Sequence, residues 1–162
     1  MKAVLDDLKE ILKKQNSILN QLIEYGIAET QALKTDDLET LIKVTWQQQI
    51  LCQDLTRFEH ERITLQNRIA CLLNVNAATL TLEIIISQTS NEEQQLFEET
   101  AENLQKNLND LATLNETNRL LIKQSLAHTN SLFHKLHPEK ITYNRLGLIT
   151  NNLIISKLDK TV

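Results

Sequence analysis

The side chains able to do chemistry are few and scattered. His134 and His137 stand about one helical turn apart, a spacing at which two imidazoles can share a metal ion. A closed site needs a third and fourth ligand, and carboxylate-bridged helical sites draw a Glu-x-x-His motif from each of two helices. No histidine here has Glu three residues before it: Arg57 precedes His60, Ser125 precedes His128, Ser131 precedes His134, and His134 precedes His137. The pair reads as exposed histidines near a helix C-terminus, where the dipole favours positive charge. Cys52 and Cys71 fall on one predicted helix, about 28 Å apart at 1.5 Å rise per residue. That separation is too large for a disulfide. They read as reduced thiols and as small apolar fillers near a helix seam. The chain has no HExxH, CxxC, phosphate loop or GxGxxG. The residue types therefore predict no enzyme, no cofactor and no metal. Tyr143 and Gly147 stand out only for their place just after the last long helix, where by themselves they make a turn.

The elements that must position these residues are set by composition. Two glycines and one proline in 162 residues cannot supply the tight turns of a sandwich or barrel. They suffice for a few long helices with short connections. With aromatics at 4%, Leu and Ile must fill the core, which suits thin helix–helix seams. The net charge of -4 and a pI near 5.6, with basic and acidic residues interleaved, argue against nucleic acid as a partner. The N-terminus carries Asp6, Asp7 and Glu10 and has no apolar core of a signal peptide. The longest apolar runs are far short of a membrane span. A soluble, cytoplasmic protein is expected, with no membrane insertion.

Apolar residues recur at steps of three and four from Val4, Leu5 and Leu8 to Leu22 and Tyr25, which predicts a helix from Lys2 to Lys34 that runs through Gly26. Asp36 is the expected cap of the next helix, with Glu39 reaching back to it. The short loop then makes the two helices antiparallel. The second helix is expected from Asp37 to Leu73. Its heptad track reads Leu41, Val44, Gln48, Leu51, Leu55, Phe58, Arg62, Leu65, Ile69, Leu72, a coiled-coil-like seam interrupted by Gln48 and Arg62. The segment from Asn74 to Ser90 alternates in a way that suits either a strand or a helix, and a short helix around Ala77 to Ser87 is the preferred reading. Ser90 and Glu93 make a capping box for a third long helix that stops at Pro138. Its track is Phe97, Ala101, Leu104, Leu108, Leu111, Asn115, Asn118, Ile122, Ser125, Thr129, Leu132, Leu136. Asn115 and Asn118, one turn apart, are expected to bond across the helices.

The expected architecture is all-α: an elongated antiparallel bundle of three long helices over residues 1–138, with a short helix between the second and third, and a C-terminal tail over 139–162. The apolar stripes can be buried internally or shared with a second copy, so a homodimer stays open. On the residues alone, the chain reads as a non-enzymatic helical protein that binds protein partners, with a general coiled-coil adaptor or scaffold as one form of it.

The stretch ALKTDDLETLIKVTWQQQILCQDLTRFEHERITLQNRIACLL resembles the helical hairpin of the FlgN-type flagellar export chaperones, down to an acid-x-x-Arg patch at Glu59-His60-Glu61-Arg62. LATLNETNRLLIKQSLAHTNSLFHKL looks like the family's third helix, with Asn115, Asn118, Leu120, Leu121 and Leu126 at the matching places. ITYNRLG matches the Tyr-containing turn with its downstream Gly, at Tyr143 and Gly147. The chain departs from the pattern at Thr45-Trp46-Gln47-Gln48-Gln49, where the family is more charged, and at Asn144, where the family has Gly. The resemblance implies a cytoplasmic type III export chaperone. Such a protein holds hook-associated (hook–filament junction) proteins, prevents their premature assembly and brings them to the flagellar export gate. It implies client contact by the C-terminal region, here Leu146, Leu148, Ile149, Leu153, Ile154, Ile155 and Leu158, and gate docking by Tyr143.

Overall fold

The structure is a computed structural model and describes residues 2–86, 91–136, 142–143 and 149–150. Three long helices dominate: α1 (Lys2–Thr35), α2 (Leu38–Leu73) and α4 (Asn91–Leu136). Between α2 and α4 lie a 3₁₀ turn at Ala77–Thr79 and a one-turn helix, α3 (Leu82–Ile86). Two-residue strands β1 (Thr142–Tyr143) and β2 (Ile149–Thr150) pair antiparallel further on. The chain divides into two compact units, Met1–Lys123 and Gln124–Val162, and the division falls within α4. Pro138, the expected boundary, and Ser90, the expected cap of the third helix, lie outside the described residues.

The C-termini of α1 and α2 are both closed without glycine. Asp36 takes the left-handed conformation (φ 54°), and the Asp37 N–H donates to Ala32 O at 3.0 Å, the six-to-one bond that closes a helix C-terminus. Asn74 does the same for α2 (φ 56°), with the Val75 N–H on Ala70 O at 3.0 Å. Asp and Asn tolerate this conformation better than other non-Gly residues. The cap of α2 is Asp37 rather than Asp36: its carboxylate accepts from Thr40 N (3.0 Å) and Thr40 Oγ1 (2.7 Å). Asp36 is spent on ending α1, so the cap moves one residue on. Glu39 does not reach back but pairs with Lys43 at 2.6 Å. The Thr40 N–H and hydroxyl hold the exposed Asp37 carboxyl below its usual range.

Within the first unit, cross-helix bonds fix the directions. Gln15 meets Glu59 and Glu29 meets Gln48, so α1 and α2 run antiparallel. Asn107 bonds Asn16 and Asn20, and Asn118 bonds Gly26, so α4 runs parallel to α1. The core has two apolar clusters. In the first, Val4, Leu5, Leu8 and Leu12 of α1 meet Ile69 and Ala70 of α2, Leu80 and Ile85 of the connector, and Phe97 of α4. In the second, Ile18, Leu19 and Leu22 are flanked by Leu51, Leu55, Phe58, Leu104 and Leu111. The connector is therefore a turn plus a single helical turn, not one helix from Ala77 to Ser87. It drops Leu80 and Ile85 into the core while Gln66 Nε2 holds Leu80 O at 2.7 Å.

The α2 seam drifts from a strict seven-residue repeat because an α-helix turns every 3.6 residues. On α2, Leu73 packs inward and Leu72 is exposed. On α4, Leu114 and Leu121 take the half-buried places expected of Asn115 and Ile122. Cys52 and Cys71 are exposed and unpaired rather than seam fillers, since each follows an inward-facing residue by one position, about 100° around the helix.

Candidate partner-binding surface

The sites expected from the sequence fall almost wholly on the C-terminal region. Tyr143 and Ile149 are register partners in the β1–β2 ladder, so their backbones stand directly opposite each other. Leu146, Leu148, Leu153, Ile154, Ile155 and Leu158 lie outside the described residues, as does His137. Of the expected docking and client residues, the structure thus brings one pair together.

A surface not singled out from the sequence lies earlier, on the last turns of α4. Leu126, Phe133 and Leu136 are 58, 62 and 76% exposed, with Leu132 also exposed. Their spacing of three, four and seven residues places them on one helical stripe. Between Gln124 and Leu136 there is no acid and one Lys, so Ser, Thr, Asn and His flank the apolar line. A second apolar line, Leu38, Ile42 and Trp46, is exposed on α2 at steps of four. The sequence signal was present in both: an apolar period that continues where polar residues would mark a solvated face.

The polar groups of the first unit are occupied with one another. Arg62 makes a two-pronged contact with Glu59 (Nε to Oε2 2.8 Å, Nη2 to Oε1 2.7 Å) and donates to Gln66 Oε1 at 2.9 Å. Gln15, buried on α1, donates to the same Glu59 at 3.0 Å. Arg62 above all, and then Gln15, hold the Glu59 carboxyl below its usual range against the opposing effect of partial burial. The acid-x-x-Arg patch is thus a structural clamp between α1, α2 and the connector. Further along, Asn118 is 2% exposed; its Nδ2 donates to Gly26 O and Glu29 Oε2, both at 3.0 Å, and Thr30 Oγ1 donates to its Oδ1. Glu29 also accepts from Gln48 Nε2 at 3.0 Å. The expected cross-helix Asn is therefore Asn118 alone, with its partners on α1; Asn115 faces solvent.

A cavity of about 60 Å³ lies between Leu8, Leu12, Arg62, Gln66, Leu82 and Ile85. Small-molecule sites run to roughly 300 Å³ or more, so this is a packing void. Among the described residues, no group of three or more His, Cys, Asp or Glu is placed to hold a metal ion. No helix among them is long and apolar enough to cross a membrane.

The described residues define a largely helical protein whose long helices are tied by paired polar side chains. The family model described as FlgN protein matches residues 1–149, and the chain belongs to the FlgN family. Its general role is that of a flagellar export chaperone, a family not known for enzymatic activity. Neither the curated proteins nor the solved structures gave a match.

Proposed function

We propose that the protein binds hook-associated flagellar proteins in the cytoplasm, keeps them from assembling early and delivers them to the export gate. The family match over residues 1–149 carries this reading. The exposed stripe on α4 supports it physically, because an amphipathic client helix docks by laying its apolar face on such a line. Client contact is assigned to the C-terminal region: Leu146, Leu148, Ile149, Leu153, Ile154, Ile155 and Leu158. Residues 1–138 serve as the helical body, whose α4 stripe extends the client contact, and 139–162 as the partner-binding tail without which the client is not held. Tyr143 is assigned to gate docking.

The test is a pull-down from flagellated cells with the full chain and a chain ending at Pro138, side by side. Recovery of hook-associated proteins by the full chain alone is the expected result. Equal recovery by both chains removes the tail from the client site. Recovery of no flagellar protein by either overturns the chaperone assignment for this chain.

A further inference from the structure

The three helices of the first unit are held unevenly along their length. Phe97, Leu104 and Leu111 of α4 enter the two apolar clusters, but beyond Leu111 no described residue of α4 does. The next fully buried residue of α4 is Asn118, bonded to Gly26, Glu29 and Thr30, and Glu29 carries the layer on to Gln48 of α2. Leu120 and Ile122, which follow it, are exposed, and Leu114 and Leu121 are only half-buried. The backbones of α1 and α2 approach within 8 Å along their length, whereas among the described residues α4 approaches either helix almost entirely through side chains.

Parting an apolar layer puts hydrocarbon into water at a cost proportional to its area. Parting a hydrogen-bonded layer exchanges its bonds for bonds to water, with a small net change. The contact is also notched: a Cβ on Gly26 would lie 2.5 Å from Leu114 Cδ2, so the α4 side chain fills the space that a missing methyl leaves on α1. We propose that α4 opens from α1 and α2 at this polar layer, residues 112–123 leaving and rejoining the hairpin while residues 97–111 stay packed. The opening belongs to the free chain and does not depend on the identity of a client.

Amide hydrogen exchange on the full-length chain, read by mass spectrometry, tests this. Sub-global opening should make residues 112–123 exchange at least about tenfold faster than residues 97–111. Because α4 continues to Leu136, fast exchange there is not the fraying of a helix end. Gly26→Ala, which wedges Leu114 outward, and Asn118→Ala, which removes the latch, should each widen the difference and leave 97–111 unchanged. Equal exchange of the two stretches in the unaltered chain overturns the proposal, as does acceleration of both alike in the variants. The unaltered chain alone decides the matter if either variant fails to fold.

Discussion

If the α4 stripe meets the client, Leu126→Ala/Phe133→Ala/Leu136→Ala should weaken binding without weakening the fold. Full burial of a Leu or Phe side chain is worth about 1.5–3 kcal/mol. The three residues have 58, 62 and 76% of their surface still to bury, so complete coverage by a partner would contribute roughly 3–6 kcal/mol at that rate. Alanine keeps its Cβ and no interface covers every atom, which brings the expected loss to about 2 kcal/mol, or about thirtyfold in Kd. Isothermal titration with a purified hook-associated protein reads the affinity, and a melting curve of the free chain reads the fold. The expected result is a thirtyfold loss with Tm unchanged within a degree or two, because exposed side chains away from caps and core matter little to stability. An affinity within threefold of the unaltered chain would refute the argument, and a large fall in Tm would show that the stripe is packed in the free protein.

Phe97→Ala strikes the point where α1, α2, the connector and α4 meet, and a buried Phe→Ala change costs about 3–5 kcal/mol; denaturant unfolding should show most of that, and a cost below about 1 kcal/mol would contradict the core described above. Tyr143→Ala should leave client affinity nearly unchanged and block export, measured as hook-associated protein in the culture supernatant; lost affinity with normal export would reverse the assigned role. The Glu59 carboxyl is held low by Arg62 in the folded chain, so its contribution is present above the ordinary carboxylate pKa and is lost as pH falls through the folded-state value. With the Glu59 side chain 45% exposed, that contribution is about 1 kcal/mol or less. The urea midpoints of Glu59→Gln and the unaltered chain should therefore differ modestly at neutral pH and converge in strong acid; a constant gap would show that Glu59 acts through packing instead.

The long elements were legible because periodicity is strongest over many turns. The stripe from Val4 to Leu22 locates α1, and its run through Gly26 is what the structure shows. Gln48 and Arg62, which interrupt the α2 track, are the residues that bond Glu29 and Glu59. Finer placement failed where neighbouring residues compete for one role. Asp36 and Asp37 are adjacent and chemically alike, and only backbone geometry decides which ends α1 and which caps α2. The α4 track falls one residue late at Asn115 and Ile122, because the inward series through Leu114 and Leu121 also repeats every seven residues and pattern alone does not separate the two. The notch at Gly26 was invisible because its reason, the Leu114 side chain, is 88 positions away in the chain. The α4 surface went unnoticed because a seam residue and a docking residue share the same period; only exposure separates them.

The close pairing of α1 with α2, against the side-chain-only approach of α4, has a consequence for biosynthesis. The hairpin's contacts are nearer in sequence than those of α4 and it is closed by a two-residue turn, so it can form as soon as Leu73 has left the ribosome. Its groove then waits, with Leu19, Leu22 and Leu55 unshielded, for about forty further residues, or roughly two to eight seconds at common elongation rates, before Leu111 can arrive. During those seconds the nascent chain itself presents an apolar groove, so its yield in cells depends on translation speed through α4 as well as on the stability of the finished protein.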